Sequence, residues 1–274
     1  MHAGVGVAAV EAIEAAGWHV VMPRGHVCCG RPLYDYGFLN VAERYLRKVL
    51  DVLRDEIRAG TPVVGIEPSC LAVFKDELVK LLPHDDDAQR LAKQSYHFAD
   101  FFSAFDIEPP KLDGDALLWG HCHQKATGGM DGERRLLERM GLEVEQVKAG
   151  CCGLAGSWGF EEGHHELSMR IAEEGLLPKV REAAPHTLVV ADGFSCKTQI
   201  EEGSGRKALH VAEVMNLARQ NGRGALHEGR RPDDCVGQPP RPGRRRQVQR
   251  AFAAVAVAAA AAGTSAVAAA RRSA

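Results

Sequence analysis

Residues 149–160 read AGCCGLAGSWGF and contain two adjacent cysteines, Cys151 and Cys152. The stretch is too rich in glycine to form the interior of a helix, so it is predicted to be a loop. A similar loop occurs earlier, where residues 26–38 read HVCCGRPLYDYGF and another cysteine pair again precedes a glycine. Two such loops in one chain indicate an internal repeat.

The spacing of the other cysteines supports the repeat. In the first copy Cys70 follows the pair formed by Cys28 and Cys29, and in the second copy Cys196 follows its pair, at separations of 41 and 44 residues. The second copy has one further cysteine, Cys122, ahead of its pair. The equivalent position of the first copy would fall just before the first residue. We therefore predict that the first copy is truncated at its front end and lacks its opening strand.

Length and charge narrow the possible functions. The 274 residues suffice for one large domain or two small ones. The net charge of −2 conceals an acidic body and a basic end, because residues 221–274 hold ten arginines and three acids. An acidic body argues against a nucleic-acid partner. No secretory signal opens the sequence, so we expect a cytoplasmic location, where clustered thiols indicate metal or redox chemistry more often than disulfides.

The apolar runs predict a parallel sheet in each half. Strands are predicted at residues 18–22, 63–66, 116–119, 142–148 and 187–191, and helical patterns lie between them. This alternation predicts an α/β fold with helices on both faces of the sheets. Every cysteine of the body follows a predicted strand and precedes a helix. That position is the carboxyl edge of a parallel sheet, where ligands bind in such folds.

We predict two pseudo-repeated halves followed by a tail. Residues 1–110 form the first repeat, residues 111–220 the second, and residues 221–274 a disordered tail that is basic and rich in alanine. Helices are predicted at residues 5–16, 39–59, 71–82, 97–105 and 166–184, among others.

The tail contains twenty uncharged residues, 251–270, most of them alanine. Their number would fit a bilayer, but alanine carries little transfer energy and a glycine and two hydroxyl residues interrupt the run. We therefore predict an unstructured or weakly helical tail, with membrane association on the cytoplasmic face as the alternative. Deleting residues 222–274 is then expected to leave the fold and any cluster intact. We assign no role to Cys235 in this segment.

The second half offers a complete set of four thiols from three predicted strand ends, those of Cys122, Cys151, Cys152 and Cys196. Four sulfur ligands suit tetrahedral zinc or an iron–sulfur cluster. Adjacent cysteines are a poor zinc pattern, because structural zinc sites space their ligands by two to four residues, and an adjacent pair also strains a disulfide.

The glycines of this loop favour the cluster, because they would let backbone amides approach the cluster sulfides. They are Gly150, Gly153, Gly156 and Gly159. We therefore favour an iron–sulfur cluster of the four-iron, four-sulfide type over zinc and over small cysteines that only fill buried space.

The first half offers three thiols, those of Cys28, Cys29 and Cys70. They could bind a cluster with an open or non-cysteine corner, or they could bind nothing. His26 is a possible further ligand, although a loop histidine is more often a surface residue.

Two histidines, His121 and His123, flank Cys122. They could bind the metal, tune the cluster or deliver protons during electron transfer, or they could be ordinary packed residues at the end of a strand. Lys125 and Lys197 follow cysteines closely and could offset thiolate charge, although a solvated lysine is the usual case.

The cysteine-bearing stretches resemble a known family. CCGRPLYDYG, IEPSCLAVFKDEL, GHCHQKA, GCCGLAGSWGFE and VVADGFSCKTQI are similar to the cysteine-rich (CCG) domain, which occurs twice in one of the subunits of heterodisulfide reductase and in iron–sulfur proteins of glycerol-3-phosphate, lactate and glycolate oxidation. The similarity covers roughly residues 3–219. It is strongest to FAD-linked 2-hydroxyacid dehydrogenases in which this module forms the carboxyl-terminal part.

The resemblance implies that electrons pass from a flavin, which has oxidised D-lactate or glycolate, through iron–sulfur chemistry toward a quinone or cytochrome. FAD would reside on a partner subunit or another domain, so this chain is not expected to oxidise substrate alone. The family's full domain has a further cysteine three residues after each lone one, where this sequence has Val73 and Gln199. That departure argues against a five-cysteine, non-cubane cluster. The alternative functions are a thiol–disulfide reductase and a zinc-stabilised interaction module without redox chemistry.

Overall fold

The computed structural model describes residues 3–226 and residues 255–258. The helices are α1 (Ala3–Ala15), α2 (Arg31–Asp35), α3 (Leu39–Val52), α4 (Arg54–Ala59), α5 (Pro68–Ala72), α6 (Leu78–Leu81), α7 (Asp86–Gln94), α8 (Phe98–Ala104), α9 (Cys122–Thr127), α10 (Asp131–Met140), α11 (His165–Glu173), α12 (Leu176–Glu182), α13 (Phe194–Ser204) and α14 (Val211–Asn221). A π-helical segment, Val73–Glu77, connects α5 to α6, and a 3-10 turn covers Trp158–Phe160.

The strands are β1 (His19–Val20), β2 (Val63–Gly65), β3 (Ser95–His97), β4 (Gly114–Trp119), β5 (Leu142–Gln146), β6 (Leu188–Ala191), β7 (Ala208–Leu209) and β8 (Val255–Ala258). They form two four-stranded sheets with helices between them in the sequence, so the predicted α/β class is confirmed. Within the described part of the chain, no helix is both long enough and apolar enough to cross a bilayer.

The second sheet has the order β5-β4-β6-β7, and all its neighbouring strands are parallel. β4 and β6 are buried along most of their length, as expected for central strands of a sheet that is covered on both faces. The cysteines of this half follow β4, β5 and β6, and they therefore lie at one edge of the sheet. This confirms the prediction that the cysteines occupy the carboxyl edge.

The first sheet has the order β1-β8-β2-β3, so β8 takes the place that β4 takes in the second sheet. β2 and β3 are parallel, whereas β8 pairs antiparallel with both β1 and β2. The body strands of this half therefore run in one direction, as predicted, and a reversed strand from the tail separates β1 from β2. The sequence did not predict this strand. The remainder of the predicted tail, residues 227–254 and 259–274, lies outside the described residues, and so does Cys235.

The helices predicted at residues 39–59, 166–184 and 97–105 differ from the structure. Residues 39–59 form α3 and α4, which meet at Leu53, and residues 166–184 contain α11 and α12, which meet at Gly175. A Cβ atom at Gly175 would lie 2.7 Å from the Cβ atom of Ala149, so the break lets this chain segment pass close to the second cysteine loop. The helix predicted from residue 97 begins at Phe98, because Ser95–His97 pairs with β2 and this pairing overrides the helical pattern.

The two halves share a hydrophobic core. Helix α1 packs against α14, and one cluster of buried side chains contains Ile13, Phe98 and Phe102 together with Leu118 and Val214. Two smaller clusters lie within the first and second halves. The division into residues 1–110 and 111–220 stays a prediction about the repeat, since burial is continuous across that boundary.

The tail strand makes deletion of the C-terminal residues a test of the first sheet. Residues 222–274, which were predicted to be dispensable, include β8 and the buried Leu226. They also include the exposed Arg223, which pairs with Asp113 at 2.7 Å. Without β8, the backbone groups of β1 and β2 that pair with it lose their hydrogen-bond partners, although β2 keeps its pairing with β3. We expect deletion of residues 251–274 to lower the melting temperature by roughly 5 °C or more relative to deletion of residues 259–274.

Thermal unfolding and amide exchange measure this difference. Amides of Val20 and Val64 should exchange faster only in the deletion that removes β8. Equal melting temperatures and equal exchange in the two deletions would contradict the assigned position of the tail strand.

Candidate metal centre

The four cysteines of the second half meet at one place. Cys122 opens α9, Cys196 lies in the first turn of α13, and Cys151 and Cys152 occupy the loop after β5. Their thiols contact one another in a chain from Cys122 through Cys151 and Cys152 to Cys196. The structure thus brings together the four side chains that the sequence analysis selected.

The crowding of these thiols perturbs their protonation. A hydrogen bond to Cys151, together with burial, raises the pKa of Cys122, and hydrogen bonds to Cys151 and Cys196 raise that of Cys152. The pKa of Cys151 is lowered to about 2, because its sulfur accepts hydrogen bonds from Cys122 and Cys152. Metal binding releases thiol protons, so a cationic centre would satisfy all four sulfurs at once. The donor set therefore fits an iron–sulfur cluster or zinc.

The glycine after each cysteine pair has the same structural role in both halves. The amide of Gly153 donates to the Cys151 sulfur at 3.3 Å, and that of Gly30 donates to the Cys28 sulfur at 3.5 Å. Both glycines have positive φ, of 94° and 76° respectively, a conformation that side chains disfavour. A Cβ atom at Gly153 would also lie 2.1 Å from the carbonyl oxygen of Ser168. The CCG pattern therefore directs an amide at a sulfur in each loop.

The predicted role of the loop glycines, whose amides would approach cluster sulfides, stays a prediction, and the amide of Gly159 donates instead to the carbonyl oxygen of Leu154 at 3.0 Å. Gly153 and Gly159 are closely packed, since a Cβ atom at Gly159 would lie 2.6 Å from the hydroxyl of Ser168. Around Gly150 and Gly156, in contrast, a Cβ atom would meet nothing within 4 Å. The structure gives no packing reason for glycine at Gly150, while Gly156 adopts a positive φ of 74°.

The three cysteines of the first half also meet. The Cys29 sulfur lies 2.9 Å from the Cys70 sulfur, and Cys28 is half-buried beside them. A hydrogen bond with Cys28 lowers the pKa of Cys29, but contact with Cys70 and burial outweigh it and raise that pKa to about 12. His26, the suggested further ligand, is exposed. The described residues thus give this half one sulfur fewer than the second half.

A buried ion pair fastens the first cysteine loop. Arg31 directly follows Gly30, and its guanidinium donates to Glu77 at 2.6 Å and to the exposed carboxylate of Asp35 at 3.0 Å. It also reaches the carbonyl oxygen of Ser69, next to Cys70, at 3.4 Å. Arg31 and Glu77 are each less than a tenth exposed. This pair cannot be recognised from the sequence, because its members are 46 residues apart.

The two histidines beside Cys122 differ in their surroundings. His121 is buried and caps α9, since its Nδ1 atom accepts a hydrogen bond from the amide of His123 at 3.2 Å. Burial lowers the pKa of His121, so it is held neutral. His123 is half-buried, and its Nδ1 atom has no hydrogen-bond partner. Ligand atoms of His121, Cys122 and His123 lie within 4.8 Å of one another, so either ring is close enough to act on a metal bound there.

Glu67 links the cysteine loops of the two halves. Its carboxylate accepts hydrogen bonds from the amide of Ser69 at 3.0 Å and from the amide of Phe194 at 2.7 Å. These amides begin α5 and α13, the helices that carry the lone cysteine of each half. The same carboxylate lies 3.9 Å from Nε2 of His121. Glu67 was not among the residues predicted from the sequence, although an acid before Pro-Ser is a helix-capping pattern.

The two lysines near the cysteines donate hydrogen bonds to backbone carbonyl oxygens and, in one case, to a carboxylate, rather than to the cysteine sulfurs. Lys125 donates to the carbonyl oxygens of Ala149 and Gly150 at 2.6 Å each, and thereby holds the start of the second cysteine loop. Lys197 is 2% exposed and donates to Glu213 at 2.7 Å and to a backbone carbonyl oxygen. The expectation of a solvated side chain was wrong for Lys197, because its carboxylate partner is also largely buried.

A buried acid lies beneath α9. Glu133 is 1% exposed, and its Oε1 atom has no hydrogen-bond partner. Burial raises the pKa of this carboxyl well above its ordinary value of 4.5, and the neighbouring carboxyls of Asp192 and Asp100 raise it further. The folded protein therefore holds Glu133 protonated at pH values where the unfolded chain would ionise it.

The protonation of Glu133 predicts a pH-dependent stability. Above about pH 4.5 the unfolded chain releases this proton and the folded chain does not, so stability falls as pH rises toward the folded pKa. We expect Glu133→Gln, which cannot ionise, to stabilise the protein at pH 8 by about 1 kcal/mol or more, roughly 2–4 °C. At pH 5 the gain should be small. Thermal unfolding at the two pH values measures this gain in stability, and Glu143→Gln at an exposed position is the control. A gain that did not depend on pH would contradict a protonated Glu133 in the folded protein.

Comparison with known proteins places these features in a family. The family model for the cysteine-rich domain, CCG, matches residues 2–75 and 126–201. Lactate utilization protein A of Bacillus licheniformis is 30% identical over 232 residues, which are 77% of this chain and 92% of the relative. The protein of the same name from Bacillus subtilis is 29% identical over 228 residues, with the same coverage of both chains.

A second kind of relative is much longer than this chain. D-2-hydroxyglutarate dehydrogenase of Escherichia coli is 27% identical over 190 residues, or 68% of this chain. The match spans only 18% of that protein. The cysteine-bearing halves of this chain are thus similar to a small part of a large dehydrogenase and to nearly the whole of a smaller lactate utilization protein.

Proposed function

The chain belongs to the cysteine-rich (CCG) domain family, and on this basis we propose that it is an iron–sulfur electron-transfer module of flavin-linked 2-hydroxyacid oxidation. The names of its relatives support a role in the oxidation of lactate or of another 2-hydroxyacid. In this proposal FAD resides on a partner dehydrogenase subunit, which oxidises D-lactate or glycolate. The module passes the electrons toward a quinone or cytochrome, in the cytoplasm, where its seven described free thiols stay reduced.

One observation carries the proposal: four thiols converge from the ends of three parallel strands. Cys122, Cys151, Cys152 and Cys196 are the residues that would hold the principal cluster. An iron–sulfur cluster supplies one-electron redox chemistry when it is bound. Thiolates are the ligands that such clusters use, and adjacent cysteines disfavour a zinc site.

The surrounding residues provide what a buried redox centre needs. Trp119, Leu154 and Val147 are buried next to the cysteines and exclude water from them. The amide of Gly153 points at the Cys151 sulfur, and hydrogen bonds of this kind to sulfur adjust a cluster's reduction potential. Lys125 fixes the preceding backbone, so the cysteine pair is held before any cluster binds.

We assign the first cysteine set, Cys28, Cys29 and Cys70, a subordinate role. It has three sulfurs. In this sheet β8 occupies the position that β4 has in the second sheet, and no described cysteine follows β8. In the second half the equivalent strand, β4, ends three residues before Cys122. A site with one ligand fewer leaves iron exposed to solvent or to a weaker ligand.

Reversible reduction tests the proposed function. Anaerobically purified protein should bleach in the visible range on addition of dithionite, show a paramagnetic signal at low temperature and recover its absorbance on reoxidation. A zinc-stabilised interaction module would show no change with dithionite. A thiol–disulfide reductase would consume a mixed disulfide substrate at the expense of the reduced centre, and this activity is not expected.

A further inference from the structure

The exposed large hydrophobic side chains of this protein are concentrated around the cysteines. Among the described residues seven such side chains are exposed, and five of them lie in two segments, residues 32–39 and 154–167, which follow the two cysteine pairs. They are Tyr36, Phe38, Leu39, Phe160 and Leu167. We call the surface formed by these two segments the cysteine face.

The two segments form one continuous surface. The hydroxyl of Tyr36 in the first segment donates to the carboxylate of Glu161 in the second, across 125 residues of sequence. The cysteine face borders Cys28 and Cys151, whose side chains are half-buried, whereas Cys152 and Cys29 lie beneath them. The two segments directly follow the cysteine pairs in the sequence, so a donor or acceptor bound to this face lies close to half-buried thiols.

Aromatic side chains exposed in a group mark an interaction surface. Phe38 and Phe160 are 60% and 56% exposed, and Tyr36 is 54% exposed. Aromatic residues are enriched where proteins bind one another, because they bury a large area with few rotatable bonds. The exposed aromatics of the cysteine face are therefore available to a partner protein.

The charge of the cysteine face indicates the chemistry of that partner. Its two segments contain no lysine or arginine and carry four acids, Asp35, Glu161, Glu162 and Glu166. The nearest basic side chains along the sequence are the buried Arg31, which pairs with Asp35, and Arg44 and Arg170 on α3 and α11. A second copy of this chain would place acid against acid, which is unfavourable, whereas lysine and arginine on a partner would attract it to this surface.

We propose that the cysteine face is the docking surface for a redox protein that presents an apolar patch bordered by lysine and arginine. The proposal rests on the proposed function, since it assigns the route by which electrons reach or leave the cysteine-bound centre. Electrostatic attraction brings the partner to the face, and the exposed aromatics then pack against the partner's apolar patch. A centre held by Cys151 and the neighbouring cysteines would thereby come close to the partner's own redox group.

Electron transfer to cytochrome c, a small basic haem protein, tests the proposal. The full chain, loaded with its cluster and reduced with dithionite, is mixed at low ionic strength with cytochrome c or with benzoquinone, a neutral small oxidant that needs no docking. Glu162→Lys/Glu166→Lys should slow the reduction of cytochrome c about tenfold and leave that of benzoquinone unchanged. Phe38→Ser/Phe160→Ser should also slow the reduction of cytochrome c and leave the reduction of benzoquinone unchanged.

A matched pair of charge changes serves as control. Glu14→Lys/Glu143→Lys alters the net charge equally at exposed positions outside the cysteine face, and it should leave both reactions unchanged. Equal rates with cytochrome c for all variants, or no reaction of the parent protein with cytochrome c, would overturn the docking proposal, provided that benzoquinone is reduced. Failure to reduce either oxidant would instead overturn the proposed function and the docking proposal with it. A dimer that dissociates on Phe38→Ser/Phe160→Ser would identify a second copy as the occupant and overturn the proposal too.

Discussion

Replacing Cys152 by serine is expected to remove most of the bound iron, whereas replacing Cys29 is expected to remove little. Cys152 is 4% exposed and its thiol contacts those of Cys151 and Cys196, so it is an internal member of the four-sulfur set. A serine hydroxyl is a much weaker ligand for cluster iron than a thiolate. Its loss would leave three sulfurs and an iron atom without a strong ligand.

Cys29 is the matched control for this substitution. It is the second cysteine of its own CCG loop and is 6% exposed, so a serine there faces a similar degree of burial. Iron counted per chain in the two variants, after anaerobic purification under identical conditions, measures the difference. Equal losses would mean that both halves bind metal or that one cluster bridges them, and the assignment of the principal site to the second half would then be wrong.

The second large effect is expected at the ion pair that fastens the first cysteine loop. Arg31→Met leaves the Glu77 carboxylate without its guanidinium, and the Oε2 atom of Glu77 already has no hydrogen-bond partner. Breaking a buried pair on one side costs about 3 kcal/mol or more, because a buried charge loses its compensation. For a protein of this size the melting temperature should fall by roughly 6–12 °C.

Two further variants separate this cause from a general loss of packing. Arg31→Met/Glu77→Leu removes both charges and should recover most of the stability. Arg54→Met breaks an exposed pair with Asp51 and should cost less than about 1 kcal/mol. If Arg31→Met were no more destabilising than Arg54→Met, the ion pair of Arg31 with Glu77 would not be what stabilises the first cysteine loop.

The positions of the cysteines could be predicted from the sequence because they depend on local patterns. Each cysteine of the described body follows an apolar run and precedes a helix, and parallel strands place such positions at one edge of a sheet. The glycine after each pair was recognisable for the same reason, since its φ angle is a local property. These features needed no knowledge of which elements meet across the chain.

The connections between the halves could not be predicted in this way. The contact from Glu67 to the amide of Phe194 spans 127 residues, and the contact from Tyr36 to Glu161 spans 125. Neither depends on a periodic pattern, because each joins one side chain to a group that only the tertiary fold brings close. The tail strand β8 was missed because a run of alanine and valine carries no strand-specific signal until β1 and β2 provide a place for it.

The number of metal and sulfide ions bound per chain tests the central claim most directly. Anaerobically purified protein is analysed for iron, acid-labile sulfide and zinc in the same sample. A four-iron, four-sulfide cluster at Cys122, Cys151, Cys152 and Cys196 predicts a brown protein with iron and sulfide in equal amounts, about four of each per chain, and little zinc. A colourless protein with one zinc ion per chain and no sulfide would contradict the account.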